Sequence, residues 1–324
     1  MDKIRIGIVG YGNLGKGAEL AISNNLDMEL IAIFTRRNPN ELNTKSNLVH
    51  ISKVLDYKDK IDVMVLCGGS LKDLDEQCPM IASHFNTVDS FDNHNRIPEY
   101  YEKINKVALE SKKLSLISTG WDPGLFSLNR LLGQSVLPNG RDYTFWGEGI
   151  SQGHSDAIRK VIGVKNGVQY TIPIKEALDK VRNCEDIEIP VNKRHKRVCY
   201  VVCEDDEDRD RIERDIKTMP NYFEGYDTSV YFISEGELKT NHSKMPHGGF
   251  VIRTGITGNG SKQRMEFNLK LESNPEFAAS VLIAFARAVY RMAKEGKTGA
   301  ITVFDVPLGL LSPKSMVELR RELL

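Results

Sequence analysis

Short, largely apolar runs alternate with amphipathic stretches over the first third of the chain. Ile4-Arg5-Ile6-Gly7-Ile8-Val9 breaks at Gly10-Tyr11-Gly12 and passes into a helical segment over 14–23. Residues 28–34 and Val63-Met64-Val65-Leu66 read as the next strands, the latter ending at Gly68-Gly69. Thr87-Val88 and residues 114–117 are shorter candidates, with a polar helix over about 97–111 between them. Strands apolar on both faces, alternating with helices, predict a parallel sheet covered on each side. Such sheets take ligands at the carboxyl ends of their strands.

After Gly120 the pattern changes. Residues 196–202 and 229–233 read as longer strands, and residues 264–271 alternate as a half-solvated antiparallel strand does. A charged helix is expected over about 205–219, begun by the acidic run Glu204-Asp205-Asp206-Glu207-Asp208. A helix over 275–294 has Asn274 placed as N-cap, Pro275 in the first turn and Gly296 beyond the end. A strand over 300–304 and a last helix from Pro313 follow. The fold class is therefore α/β: a Rossmann-type doubly wound parallel sheet over 1–120, and a second, α+β domain over 121–296.

Composition narrows the function classes. Lysine plus arginine number 44 and aspartate plus glutamate 44. A chain without net charge lacks the broad positive field that coating nucleic acid or anionic lipid requires. The longest apolar stretch, 277–286, meets Arg287 well short of the roughly 20 residues a bilayer needs. Met1-Asp2-Lys3 leads straight into a strand, without the apolar core of a secretory signal. Cys67, Cys78, Cys184, Cys199 and Cys203 are odd in number and contain no CxxC, so they read as free thiols with no metal role. A cytoplasmic protein is expected.

Gly10-Tyr11-Gly12-Asn13-Leu14-Gly15 fits G-x-G-x-x-G between a strand and a helix, the context that gives this motif meaning. Free N–H groups at the helix start would face a pyrophosphate. Twenty residues beyond Gly15 stands Thr35, followed by Arg36 and Arg37, where an NAD site usually has a carboxylate. A hydroxyl and two guanidiniums suit a 2′-phosphate, so the expected cofactor is NADP. Gly68, Gly69 and Ser70, at another strand end, belong to the same expected site.

Asp92, in Asp89-Ser90-Phe91-Asp92-Asn93-His94, and Asp122, in Thr119-Gly120-Trp121-Asp122-Pro123-Gly124, follow two further strands and fall at the same sheet edge. Two carboxylates there suit a substrate ammonium; equally, aspartates in turns cap helices or close Asx-turns. In the second domain, Ser151-Gln152-Gly153-His154-Ser155-Asp156 reads as a polar loop, and Pro246-His247-Gly248-Gly249 as a tight turn. Lys193-Arg194-His195-Lys196-Arg197 reads as a solvated basic run, one member of which is able to turn inward.

Together with Phe145-Trp146-Gly147, these motifs run nearly the whole chain in one order, and in this the sequence resembles the meso-diaminopimelate D-dehydrogenase family. The resemblance implies NADP-dependent, reversible oxidative deamination at the D-centre of meso-2,6-diaminopimelate, giving ammonia and L-2-amino-6-oxopimelate, which cyclises to tetrahydrodipicolinate. It implies a homodimer, and a C-terminal segment, 297–324, returning to the nucleotide domain. It further implies Asp92 and Asp122 at the D-ammonium, Trp121 and Trp146 as walls, and Gln152 with Gly153 at the D-carboxylate. Thr171, Arg197 and His247 would hold the distal carboxylate, with Asn274 at the same end. An aspartate or His154 would serve as base. The alternatives are another Rossmann oxidoreductase and a non-catalytic NADPH-sensing protein, neither of which needs the zwitterion-binding set.

Overall fold

The computed structural model describes residues 3–70 and 73–324. Met1 and Asp2, with which the N-terminal reading began, lie outside the described residues. Two compact units emerge: residues 1–128 with 275–324, and residues 129–274.

The first unit is a parallel sheet of seven strands. Six are β1 (Ile4–Val9), β2 (Met28–Thr35), β3 (Leu48–His50), β4 (Val63–Leu66), β5 (Asn86–Asp89) and β6 (Leu114–Leu116). The seventh, Gly299–Ile301, adds beside β6, and the order from it is β6, β5, β4, β1, β2, β3. The chain therefore winds outward from β1 to β3, then returns to β4 on the other side of β1, which opens a crevice at the carboxyl ends of β1 and β4. Alternate strand residues feed two cores. Ile6, Ile8, Val63 and Val65 pack with one set of helices, while Val9, Phe34, Met64 and Leu66 pack on the other face. The doubly wound sheet expected from the hydrophobic runs is thus present.

Helix α1 (Asn13–Ser23) covers the first face. It shares that face with the long helix Asn274–Lys294, whose Ala279, Leu282, Ile283, Phe285, Ala286 and Val289 join the same core. Arg287, almost fully buried, forks onto Asp27 at 2.7 and 2.9 Å and onto Asn25 at 2.6 Å, pinning this helix to the turn before β2. By compactness the first unit runs on to 128, a little past the expected boundary at 120, and takes in the chain again from 275, ahead of the expected 297–324 segment. Helical amphipathicity alone does not say which sheet an apolar stripe will cover.

The second unit holds two sheets. Strands β7 (Gly140–Trp146), β8 (Gly149–Ile150), β9 (Val164–Pro173), β10 (His195–Cys203), β11 (Asp227–Phe232), β12 (His247–Thr257) and β13 (Ser261–Leu271) form a four-stranded sheet ordered β11-β10-β9-β8 and a three-stranded sheet ordered β13-β12-β7.

Four local expectations are corrected. The 152–156 segment is helical, from Gln152 to Ile158. The acidic run is not the body of a helix: only Asp208 touches one, capping Arg209–Lys217 by accepting the Arg211 N–H. The strand expected over 300–304 stops at Ile301, where Thr302 opens a short turn through a reciprocal capping box with Asp305. Gly248 and Gly249 are not a turn but part of β12. Their φ values of 149° and 152° are closed to other residues, and a Cβ at either would lie within 2.2 Å of a neighbouring strand's carbonyl oxygen.

Candidate active site

In the first unit a cleft of about 260 Å³ opens at the crevice, lined by the glycine turn, Phe34, Thr35, Arg36, Arg37, Cys67, Gly68, Asp73 and others. The three motif glycines serve different ends. Gly10 takes φ +94°, and a Cβ on Gly15 would stand 2.1 Å from the Gly10 carbonyl oxygen. Gly12 needs neither excuse: its backbone is extended, and a Cβ there would meet no protein atom within 4 Å. It caps α1 with no side-chain hydrogen bond, and the first turn of α1 carries no acidic residue. The space at Gly12 and the helix start behind it fit a phosphate group.

Arg37 donates to the Tyr11 carbonyl, and its own N–H bonds the Thr35 hydroxyl at 3.1 Å. The Tyr11 hydroxyl donates to Glu19 at 2.5 Å, where Thr44 and Ser46 also donate at 2.5 Å. Burial works to raise the Glu19 carboxyl, but the three hydroxyl donors prevail and hold it below the usual range. Glu19, which the motif reading did not single out, thus ties the glycine turn to the loop that follows the arginines.

Asp92 and Asp122 leave the sheet from the ends of β5 and β6, and one buried residue organises both departures. Asp89 Oδ1 accepts the Phe91 N–H at 3.0 Å and the Ser118 N–H at 2.9 Å, while its own carbonyl accepts the Thr119 N–H at 2.9 Å. Its Oδ2 accepts the Tyr100 hydroxyl at 2.9 Å. Burial raises the Asp89 carboxyl in spite of these donors. Asp92 in turn exchanges hydrogen bonds with Ser70, its Oδ1 accepting at 2.6 Å and its N–H donating at 3.0 Å. Ser70 thereby links the β4 loop to an acidic loop. Trp121 is buried edge-on against Phe126. Replacing Asp89 by alanine strands two buried N–H groups and is expected to cost roughly 2–5 kcal/mol of stability. Asparagine, which keeps the accepting oxygen, is expected to retain most of it; denaturant unfolding of the two variants compares them.

Strand register assembles the second unit's residues. Gly149 of β8 pairs with Thr171 of β9, which pairs with Arg197 of β10. Gly149 also packs on His247, where a Cβ would come within 2.3 Å of the His247 Cα. Ser151, just before Gln152 and Gly153, donates its N–H to the Gln169 carbonyl at 3.0 Å, two residues from Thr171. Asn274 donates its N–H to the Met245 carbonyl, two residues from His247. Gly149 thus brings Thr171, Arg197 and His247 together, and the backbone bonds of Ser151 and Asn274 tie the segments carrying Gln152, Gly153 and Asn274 to the same strands, across 123 residues of sequence from Gln152 to Asn274 inclusive.

The basic run alternates along β10. His195 and Arg197 are buried, and Lys196 between them is exposed. Arg197 donates to the Thr171 hydroxyl at 2.5 Å and stacks 4.3 Å over Tyr226. Among the described residues it makes no ion pair, and its buried Nε has no hydrogen-bond partner. Burial pulls the guanidinium below its ordinary value. Gln169 also donates to the Thr171 hydroxyl, at 3.2 Å. With two donors directed at it, that hydroxyl keeps its own proton for a further acceptor. A buried cation without a carboxylate, beside a hydroxyl with a proton to give, suits a ligand carboxylate.

Trp146 closes β7, its N–H bonded to His195 Nε2 at 2.8 Å, with the imidazole tilted beneath its ring at 5.3 Å. Burial pushes His195 down to about 4, so its neutral ring is a fixed acceptor near neutrality. The same cause, reinforced by Arg197, brings His154 to about 4. That ring is engaged with Ser151 Oγ at 2.8 Å and with the Tyr222 backbone, an arrangement ill suited to collecting a substrate proton. His195, Gln169 and Tyr226 escaped the motif reading. The period-2 spacing of His195 and Arg197 was the one available signal.

Comparison with known proteins shows which family the chain is similar to. A family model described as Diaminopimelic acid dehydrogenase C-terminal domain matches residues 120–273. The chain is 61% identical to the meso-diaminopimelate D-dehydrogenase of Ureibacillus thermosphaericus, over the full length of both. Among solved structures it is similar to the Corynebacterium glutamicum DAP dehydrogenase in complex with DAP, at 46% identity and a TM-score of 0.94 over 99% of each chain. It is likewise similar to an engineered D-amino acid dehydrogenase bound to NADP+, at 44% identity and a TM-score of 0.88 over 99% of each.

Proposed function

Because the chain belongs to the meso-diaminopimelate D-dehydrogenase family, we propose that it catalyses the reversible oxidative deamination of meso-2,6-diaminopimelate at its D-centre, with NADP as acceptor. The observation that carries the substrate class is Arg197, a buried guanidinium with no carboxylate partner among the described residues, bonded to Thr171. A substrate with a second amino-acid head group supplies the missing anion.

Bound NADP supplies the hydride acceptor. The backbone of Gly10, Tyr11, Gly12, Asn13, Leu14 and Gly15 holds the pyrophosphate, and Thr35, Arg36 and Arg37 the 2′-phosphate. Gly68, Gly69 and Ser70 border the same cofactor. Asp92 and Asp122 pair with the D-ammonium and orient its carbon for hydride loss, which requires the reacting atoms to be aligned at about 3–3.5 Å. The ammonium gives up a proton in forming the imine, and the engaged ring of His154 directs that role to the aspartates. Water then adds to the imine and ammonia leaves. Trp121 and Trp146 exclude bulk solvent, and Gln152 with Gly153 takes the D-carboxylate. Thr171, Arg197 and His247 hold the distal carboxylate, with Asn274 at that end. The same reading carries a homodimer acting in the cytoplasm in lysine and diaminopimelate biosynthesis.

The direct test is NADPH formation at 340 nm with each diaminopimelate stereoisomer, D-lysine and L-glutamate. The meso isomer is expected to react and the others to give little. Equal rates with D-lysine would show that no distal carboxylate is recognised, and silence with every substrate despite cofactor binding would overturn the assignment.

A further inference from the structure

The cleft contains an anion of its own. Asp73, the first residue of the helix Asp73–Ala82, lines it together with both arginines. Its Oδ1 accepts a hydrogen bond from Arg36 Nη2 at 2.6 Å, and its Oδ2 accepts the Gly69 N–H at 3.2 Å. The two arginines therefore stand in different states. Arg37 is held by a neutral carbonyl, so its charge is uncompensated by that partner. Arg36 is already neutralised by a carboxylate on the opposite side of the cleft.

An incoming phosphate can use Arg36 only by displacing Asp73 or by sharing the guanidinium with it. Displacement breaks an ion pair. Sharing leaves two anions on one cation, at a separation where like charges still repel in a partly solvated cleft. The carboxylate is less than one-third exposed and the arginine well exposed, so the penalty is modest and depends on salt. We propose that Asp73 sets cofactor selectivity, acting as an internal competitor that restrains the preference of this cleft for a 2′-phosphate. The proposal rests on the reading of the cleft as the adenosine end of an NADP site.

Asp73→Asn is the informative variant, because its amide oxygen can still accept the Gly69 N–H while the negative charge is gone. Calorimetric binding of 2′,5′-adenosine diphosphate and of 5′-adenosine monophosphate to the full chain reads the selectivity without turnover. The variant is expected to bind the 2′-phosphorylated probe about three- to tenfold more tightly, with little change for the other, and the gain is expected to shrink as salt is added. Asp73→Glu, which keeps the charge, is expected to leave the ratio near that of the parent. An unchanged ratio in Asp73→Asn, or weaker binding of the 2′-phosphorylated probe, would overturn the proposal. The parent protein separates this from the underlying reading: if it does not prefer the 2′-phosphorylated probe, the NADP assignment fails, whereas the change on substitution still reports on Asp73.

Discussion

Arg197→Met is expected to lower kcat/KM for meso-diaminopimelate by about thirty- to several-thousand-fold while leaving the fold as stable as before or more so. The two effects share one cause. A buried guanidinium without a carboxylate partner carries a desolvation cost that only a bound anion offsets. Methionine, of similar length, removes that cost and can rest on the Tyr226 ring that Arg197 now covers. Stability is therefore expected to hold or to rise, by up to roughly 2 kcal/mol. Removing one partner of a buried, hydrogen-bonded charge pair costs about 2–5 kcal/mol of binding, which gives the range quoted for kcat/KM. KM is expected to take most of the loss, and kcat some, because a loosened distal end also misplaces the reacting carbon. Steady-state kinetics, NADPH binding and thermal melting together check this. A variant that unfolds more easily, or that loses cofactor binding, would make Arg197 a structural residue.

Gly12→Ala is expected to separate folding from cofactor binding in the other unit. Alanine at Gly12 has an allowed extended backbone and meets no protein atom within 4 Å, so stability is expected to change by no more than about 1 kcal/mol. The methyl group would nevertheless occupy the space in front of the N–H groups that open α1. Two charge-assisted hydrogen bonds lost there, at about 1.5–3 kcal/mol each, weaken binding by about a hundredfold or more. Fluorescence titration with NADPH measures this. Gly15→Ala is the contrast: its Cβ would collide with the Gly10 carbonyl, so it is expected to damage the turn itself. Unchanged NADPH affinity in Gly12→Ala would mean that the phosphates lie elsewhere.

The nucleotide unit was the more legible half. Its signals are local: an apolar run, a glycine turn and a helix start stand next to one another, and Thr35-Arg36-Arg37 lies at a countable distance. The residues that organise this cleft were not legible. Asp73 meets Arg36 from 37 positions away, and Glu19 gathers Tyr11, Thr44 and Ser46, up to 27 positions away. Asp89 stood within a quoted motif, but its role as the acceptor joining two loops follows from the adjacency of β5 and β6.

In the second unit the residue types were visible in the sequence and their company was not. A basic run looks the same whether solvated or half-buried, and only the pairing of β10 with β9 turns Arg197 inward onto Thr171. Likewise Pro246-His247-Gly248-Gly249 has the composition of a turn, yet two flanking strands approach so closely that only glycine fits between them.

What the sequence by itself determined is the doubly wound sheet, the dinucleotide turn and, through motifs in a fixed order, the family. These depend on residues near one another in the chain, whose spacing is set by backbone geometry. Tertiary structure decided which helix closes the sheet, which charges are buried and which anion already sits on Arg36. Those outcomes depend on strand register and on desolvation, and both are set by contacts between segments that are remote in sequence.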